Sequence, residues 1–332
     1  MLSPKFRSKL LLSLFVLAVI LLAINILINS NFNGTNSQEQ ILDSKEIRGR
    51  FLTILDNLGI EDKLIKEDLS KDKSTGRMIP FIKIQVPQDL SIPEVLQDIY
   101  QSFAKDSLII SSVEKVKGGR STLALIKGKT VILRAEFNYA KNIFRNKGSF
   151  AFILKNADLE EPSTSSLIES SSKLNFLIRP DSKYIQILNL LRENNKQFSI
   201  LIDDDISEQK FKLGAKFSKQ RIIAVLQTVL KDFGNAVSFV IDEKSDFYKS
   251  SNRLVLEKEL SKRHIKLFTS SDFVNLENNE NVVSSFQNVV ENRNPEKGLV
   301  ILLDEASYLA ISPEIEKYKK RGYKILNSSQ LL

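Results

Sequence analysis

The sequence predicts an α/β fold: a C-terminal region of strand–helix units, preceded by a small α+β region and an N-terminal transmembrane helix. Three observations predict it. Short, continuously apolar runs alternate with segments of helical period from residue 148 to the end, the pattern of a mostly parallel sheet covered on both faces. Before them, strand-like runs separated by Lys/Gly turns follow two helical segments. At the extreme N-terminus lies an apolar run long enough to span a bilayer.

Composition narrows the chemistry first. The 332 residues include no Cys and a single His, His264. Disulfides, thiolate nucleophiles, Cys-based metal sites, a two-His metal site and more than one imidazole base are therefore excluded. Hydrophobic residues make up 42% and charged residues 27%, a globular mixture. The formal charge is +8, and Lys5, Arg7 and Lys9 contribute to it ahead of the apolar run. The rest is a modest excess without a basic stripe or binding motif, so no nucleic-acid partner is expected.

Residues 1–29 hold that basic flank and the apolar run 10–28, broken only by Ser13 and Asn25. At about 1.5 Å per residue such a helix spans the ~30 Å hydrocarbon core. The run is long for a signal peptide and has no A-x-A-like cleavage site, so an uncleaved signal anchor is expected. The positive-inside rule keeps the flank cytoplasmic. The protein is then single-pass in the inner membrane, with its C-terminal domains on the periplasmic side. Residues 30–40, rich in Asn, Ser and Gln, read as a flexible linker.

Residues 41–145 form the first globular region. A helix over 41–58 places Ile47, Phe51, Ile54, Leu55 and Leu58 on one face. A strand at 79–86, a helix at 93–104 and strands at 107–116, 121–126 and 130–137 follow, with glycine-containing turns between the last three. Nothing here carries catalytic residue types in a pattern, and the region reads as an adaptor. The second region, 148–332, has strands at 150–154, 174–178, 198–202, 236–241, 266–268, 299–303 and 323–326. Helices are expected at 183–194, 218–232, 252–263, 282–292 and 313–321. Seven such units suit a barrel or an open wound sheet. Either places a site beyond the carboxyl ends of the strands.

Those ends carry Lys155, Arg179, Asp203, Asp242, Asp304 and Glu305. Carboxylates converging at one mouth bind hard cations such as Mg²⁺ or Ca²⁺. Aspartate is also the ordinary residue of strand-to-helix turns and helix caps, and a Lys and an Arg on the same rim would pair with the acids. Phe239, Phe247, Tyr248 and Tyr308 fall near the expected rim, where aromatics serve sugar binding, although packing in the core is the commoner fate of Phe.

The order of segments resembles the divergent polysaccharide deacetylases, a branch of the NodB-like carbohydrate deacetylases. Three stretches carry the resemblance: residues 174–206 (LNFLIRPDSKYIQILNLLRENNKQFSILIDDDI), residues 256–271 (LEKELSKRHIKLFTSS) and residues 298–332, which begin GLVILLDEASYLA. It covers 148–332 and implies an incomplete (β/α)7 NodB-like barrel. It also implies removal of acetyl groups from envelope glycans by a metal-bound water. At the expected ligand positions the sequence departs from the family. Lys155-Asn156 stand in place of an Asp pair, Ile202-Asp203 in place of the "HLPM" histidine, and Val240-Ile241-Asp242 in place of an Asn-His motif. Leu303-Asp304-Glu305 replace "GHP", and Thr269 replaces the "DS" aspartate. His264 falls where the family has a helix-terminal glycine, and reads as a helix-end residue.

The expected function is therefore a membrane-anchored, deacetylase-like envelope protein without catalytic residues or a cofactor, binding an envelope glycan or envelope proteins. The alternative is an active metal-dependent deacetylase whose displaced, all-oxygen site uses Asp203, Asp242 and Asp304 to hold a divalent cation.

Overall fold

The computed structural model describes residues 44–72, 76–276, 281–292, 294 and 296–332. The expected transmembrane helix and the linker at 30–40 lie outside the described residues. Among the described residues, no helix is long and apolar enough to cross a membrane.

The chain divides into two compact units. One comprises the described residues up to Leu52, with Glu67–Lys83 and Leu96–Phe137; the other comprises Thr53–Lys66, Ile84–Val95 and Asn138–Leu332. The N-terminal half holds α1 (Ser44–Asn57), β1 (Ile65–Lys71), β2 (Met78–Val86), α2 (Ile92–Phe103), β3 (Ile109–Glu114), β4 (Ser121–Lys127) and β5 (Thr130–Tyr139). Its strands form one sheet in the order β1-β2-β5-β4-β3. The expected apolar face of α1 is buried at Ile47, Phe51, Ile54, Leu55 and Leu58. Gly128 turns β4 into β5 with φ +60°, a conformation glycine adopts without strain. Strand β1 is absent from the sequence reading. It is an edge strand, IKEDLSK, largely exposed, so it carries no hydrophobic alternation to detect.

The second unit contains β6 (Ser149–Lys155), α3 (Pro162–Glu169), β7 (Leu174–Ile178), α4 (Ile185–Glu193), β8 (Gln197–Ile202), α5 (Lys219–Asp232) and β9 (Phe239–Ile241). It continues with α6 (Asp246–Lys249), α7 (Asn252–Ser261), β10 (Leu267–Thr269), β11 (Val274–Leu276), α8 (Val282–Glu291), β12 (Leu299–Leu303), α9 (Glu305–Lys320) and β13 (Lys324–Ile325). Every strand pair is parallel, in the order β10-β9-β8-β7-β6-β12-β11, and β13 pairs with the start of β6.

The two edge strands show that this sheet is curled. Only Ser270–Phe273 separate the end of β10 from the start of β11. Five Cα steps reach at most about 18 Å. Six inter-strand spacings in a flat sheet would measure about 29 Å. The sheet must therefore bend round until its edges approach, while β10 and β11 stay unpaired. The result is an α/β fold built on a curled, open parallel half-barrel.

Period-two burial follows from the curl. Phe150, Phe152, Leu154, Phe176, Ile178, Ile200, Ile202, Ile301 and Leu303 face the helices in the main core. The intervening Ile153, Leu177, Val240 and Leu302 join Phe273 in a second cluster on the concave side. Phe150 meets Phe286 and Tyr318 edge-on at 5.9 and 6.4 Å between ring centres.

Several elements differ from the expectation, the four-residue helix α6 among them. Helix α3 and strand β11 were not expected, being short and, in α3, serine-rich. Helix α9 starts at Glu305 rather than at Pro313, because the Asp304 carboxylate accepts the Ser307 N–H at 2.7 Å and caps it. Pro313 sits inside that helix. The donor it removes would serve Leu309, which is 51% exposed, so water can take the orphaned carbonyl. Truncating Phe150 to Ala is expected to cost about 3–5 kcal/mol in denaturant unfolding. Leu254→Ala, at a 60% exposed position, is expected to cost no more than about 0.5 kcal/mol.

Candidate functional site

The concave side of the half-barrel is layered. At the amino ends of the strands, buried Asn175 donates to Ser199 and Ser328 at 3.0 and 2.6 Å, and Ser199 bonds Ser238 at 2.9 Å. Ser328 also donates to Gln197, so the C-terminal segment closes that end. Above lies the apolar cluster of Ile153, Leu177, Val240, Leu302 and Phe273, with Leu201 and Leu332 packed on it. Two residues further along successive strands, on the same face, come Lys155, Arg179, Asp203 and Asp242. These four line a cleft of about 400 Å³ whose floor includes Leu177, Leu201, Phe273 and Leu302.

The charges in the cleft are ordered by strand. Lys155 ends β6 and its ammonium donates to Asn275 Oδ1 at 3.0 Å. Arg179 follows β7; its Nε donates to Asp203 Oδ2 at 2.6 Å and its Nη2 to Asp205 at 3.3 Å. Asp203 is 4% exposed and also accepts the Asp205 N–H. Burial pushes its carboxyl above the ordinary carboxylate value, and Arg179 offsets part of that rise. Asp242 follows β9 and accepts the Lys244 N–H at 3.0 Å, an Asx turn. Next to it Glu243 accepts the Ser271 hydroxyl at 2.7 Å. An adjoining hollow of about 340 Å³ shares Arg179, Leu177 and Leu201 and is lined by Tyr184.

Four of the six expected rim residues therefore meet; Asp304 and Glu305 do not line this cleft. Asp304 caps α9, and Glu305 accepts the Thr164 hydroxyl at 2.7 Å. The oxygen-only trio Asp203, Asp242 and Asp304 is thus not assembled: one acid is bound to a guanidinium and one to a helix start. Among the described residues, no group of three or more His, Asp or Glu is placed to hold a metal. The residues present do not fit the divalent ion that the sequence resemblance implies.

The aromatics are also redistributed. Phe239, Phe247 and Tyr308 are core residues, 0%, 0% and 5% exposed, and Tyr308 stacks edge-on against Phe152 at 5.4 Å. Tyr248 is half-buried, with the Arg253 guanidinium 4.8 Å from its ring centre. Sequence reasoning missed Tyr184, Ser271, Phe273 and Asn275. The last three belong to the link and the short edge strand that no periodicity marks. His264 is exposed at the end of α7 with φ +57°, the left-handed conformation of a helix C-terminus.

A larger cavity, about 500 Å³, lies at the amino ends of the strands between α4 and α5. Its one buried cation, Lys196, donates to the Ser170 and Ser172 carbonyls at 2.6 and 2.5 Å. Arg192 and Asp232 also line it.

No protein-family profile matches the chain, and no curated protein sequence matches it. It is similar to solved structures. One is a mutant of a CE4 family pseudoenzyme, at 14% identity over 71% of this chain and 97% of that one, TM-score 0.38. Another is a family 4 carbohydrate esterase from Streptomyces lividans in complex with acetate, at 15% identity over 54% and 92%, TM-score 0.37. A third is an uncharacterized protein from Agrobacterium tumefaciens, at 14% identity over 58% and 92%, TM-score 0.37.

Asp203 has a pH signature. Between its ordinary and raised values the folded chain keeps a proton that the unfolded chain has lost, so stability falls as pH rises through that window. In Asp203→Asn, this part of the slope is expected to vanish from pH-dependent melting curves. In Arg179→Ala, ¹³C NMR of the Asp203 carboxyl should titrate at still higher pH, because the guanidinium that lowers it is gone.

Proposed function

We propose that the chain is a membrane-anchored polysaccharide deacetylase-type scaffold of the cell envelope that binds glycan without hydrolysing it. One observation carries the reading: Lys155 closes the carboxyl end of β6, where the sequence resemblance implies an Asp pair, and a second cation, Arg179, follows the neighbouring β7 and lines the same cleft. An ammonium group about 4 Å from a divalent cation, at an effective dielectric near 20, costs about 8 kcal/mol. The buried carboxylate on the next strand does not offset that cost, because it is the counter-ion of Arg179. The sequence resemblance over 148–332 supplies the glycan class, and the open cleft over an apolar floor has the form of a sugar site. The apolar run at 10–28 supplies the anchor and a periplasmic orientation.

The purified full chain is expected to retain chito-oligosaccharide intact on prolonged incubation with Zn²⁺, Mg²⁺ or Ca²⁺, while binding oligosaccharide in calorimetry. Release of acetate that stops on adding a chelator would contradict the reading.

A further inference from the structure

The cavity of about 500 Å³ at the amino ends of the strands is built differently from the cleft. It opens between α4 and α5 and is lined by Phe198 at the start of β8. The six residues of β8 separate it from the charged cleft, roughly 17 Å at the rise of a parallel strand. Its other apolar residues are Ile185 and Leu188 from α4, Phe233 just after α5, and Val237 before β9. Phe198 and Phe233 are buried in the core, whereas Ile185, Leu188 and Val237 stay half-buried. An apolar hollow of this size with a few polar groups at its edge is the usual form of a small-molecule site.

Two opposite charges stand at that edge. Arg192 lies in the last turn of α4, and Asp232 is the last residue of α5. Arg192 is exposed, and its guanidinium bonds Asn189 of its own helix at 3.3 Å. Asp232 is half-buried. Among the described residues, no ion pair joins the two or links either of them to a third group. Lys196 is committed elsewhere, to the Ser170 and Ser172 carbonyls. The negative end of the α5 dipole adds to the Asp232 carboxylate, and both favour a ligand cation. The Arg192 guanidinium presents the paired donors that suit a carboxylate.

From this arrangement we infer that the cavity binds a zwitterionic ligand of the amino-acid class, with an ammonium and a carboxylate on one carbon that also carries an apolar side chain. The carboxylate pairs with Arg192 and the ammonium with Asp232, so the ligand bridges two charges that the protein leaves apart. Its side chain lies against Ile185, Leu188, Phe198 and Val237. The site lies at the opposite end of the strands from the proposed glycan cleft, and neither reading depends on the other.

Calorimetry on the full chain compares four probes. They are L-phenylalanine, 3-phenylpropionate (no ammonium), phenethylamine (no carboxylate) and glycine (no apolar body). L-Phenylalanine is expected to bind at least tenfold more tightly than each of the others, about 1.4 kcal/mol, with the advantage over the last two shrinking less than the ionic contacts alone would allow as salt rises. Asp232→Asn is expected to erase the preference over 3-phenylpropionate, and Arg192→Gln the preference over phenethylamine. Unchanged melting temperatures in both variants would show that each is folded. Equal affinity for the four probes, no binding of L-phenylalanine, or a preference that survives both substitutions would overturn the inference and leave the glycan-binding reading intact.

Discussion

The site depends on the shortness of one link. Because Ser270–Phe273 join the two edges of a seven-strand path, the sheet must curl, and the curl gives it a concave side. Side chains alternate across each strand, so every second residue enters that concavity. Strand length then sorts them by height. A polar network and the C-terminal segment close the amino ends, an apolar layer fills the middle, and charged residues reach the open end. Lys155, Arg179, Asp203 and Asp242 meet because each stands two positions beyond an apolar residue of the same layer.

Electrostatics decides what the open end can accommodate. Burial raises the Asp203 carboxyl above its ordinary value, and the guanidinium 2.6 Å away offsets part of that rise. A buried carboxylate with such a partner is a poor ligand for a second cation, since binding would displace the first and leave Arg179 beside the ion. Lys155 adds a further positive charge one strand away. The cations that line the cleft are covalently attached side chains. These cannot lower the pKa of a bound water as a metal does, but they can attract anionic groups of a ligand.

Much of this was legible in the sequence. The long strands β6, β7, β8 and β12 are continuous apolar runs, and turn chemistry makes their ends conspicuous, so four rim residues were identifiable without coordinates. Asp304 and Glu305 had the same sequence signature, an acid after an apolar strand, yet belong to a helix cap and a hydroxyl contact. Spacing alone does not distinguish an inward-facing residue from a capping one. Parity does not separate them either, since Asp304 stands two positions beyond the concave-side Leu302; what separates it is that its carboxylate is taken by the Ser307 N–H at the helix start. Strand β11 and its link were invisible for a different reason: three residues are too few for a period. With them went Ser271, Phe273 and Asn275, which wall one side of the cleft. Phe239 was misplaced towards the rim because its parity directs it to the helix-covered face, and Tyr308 because it lies on α9 and packs inward against Phe152.

The central claim is that side-chain cations occupy the place a metal would need. Anomalous diffraction at the zinc edge, from crystals grown with excess Zn²⁺, tests it most directly. The account predicts no anomalous peak in the cleft and an intact Arg179–Asp203 pair. A peak within bonding distance of Asp203 and Asp242, with Arg179 swung away, would contradict it.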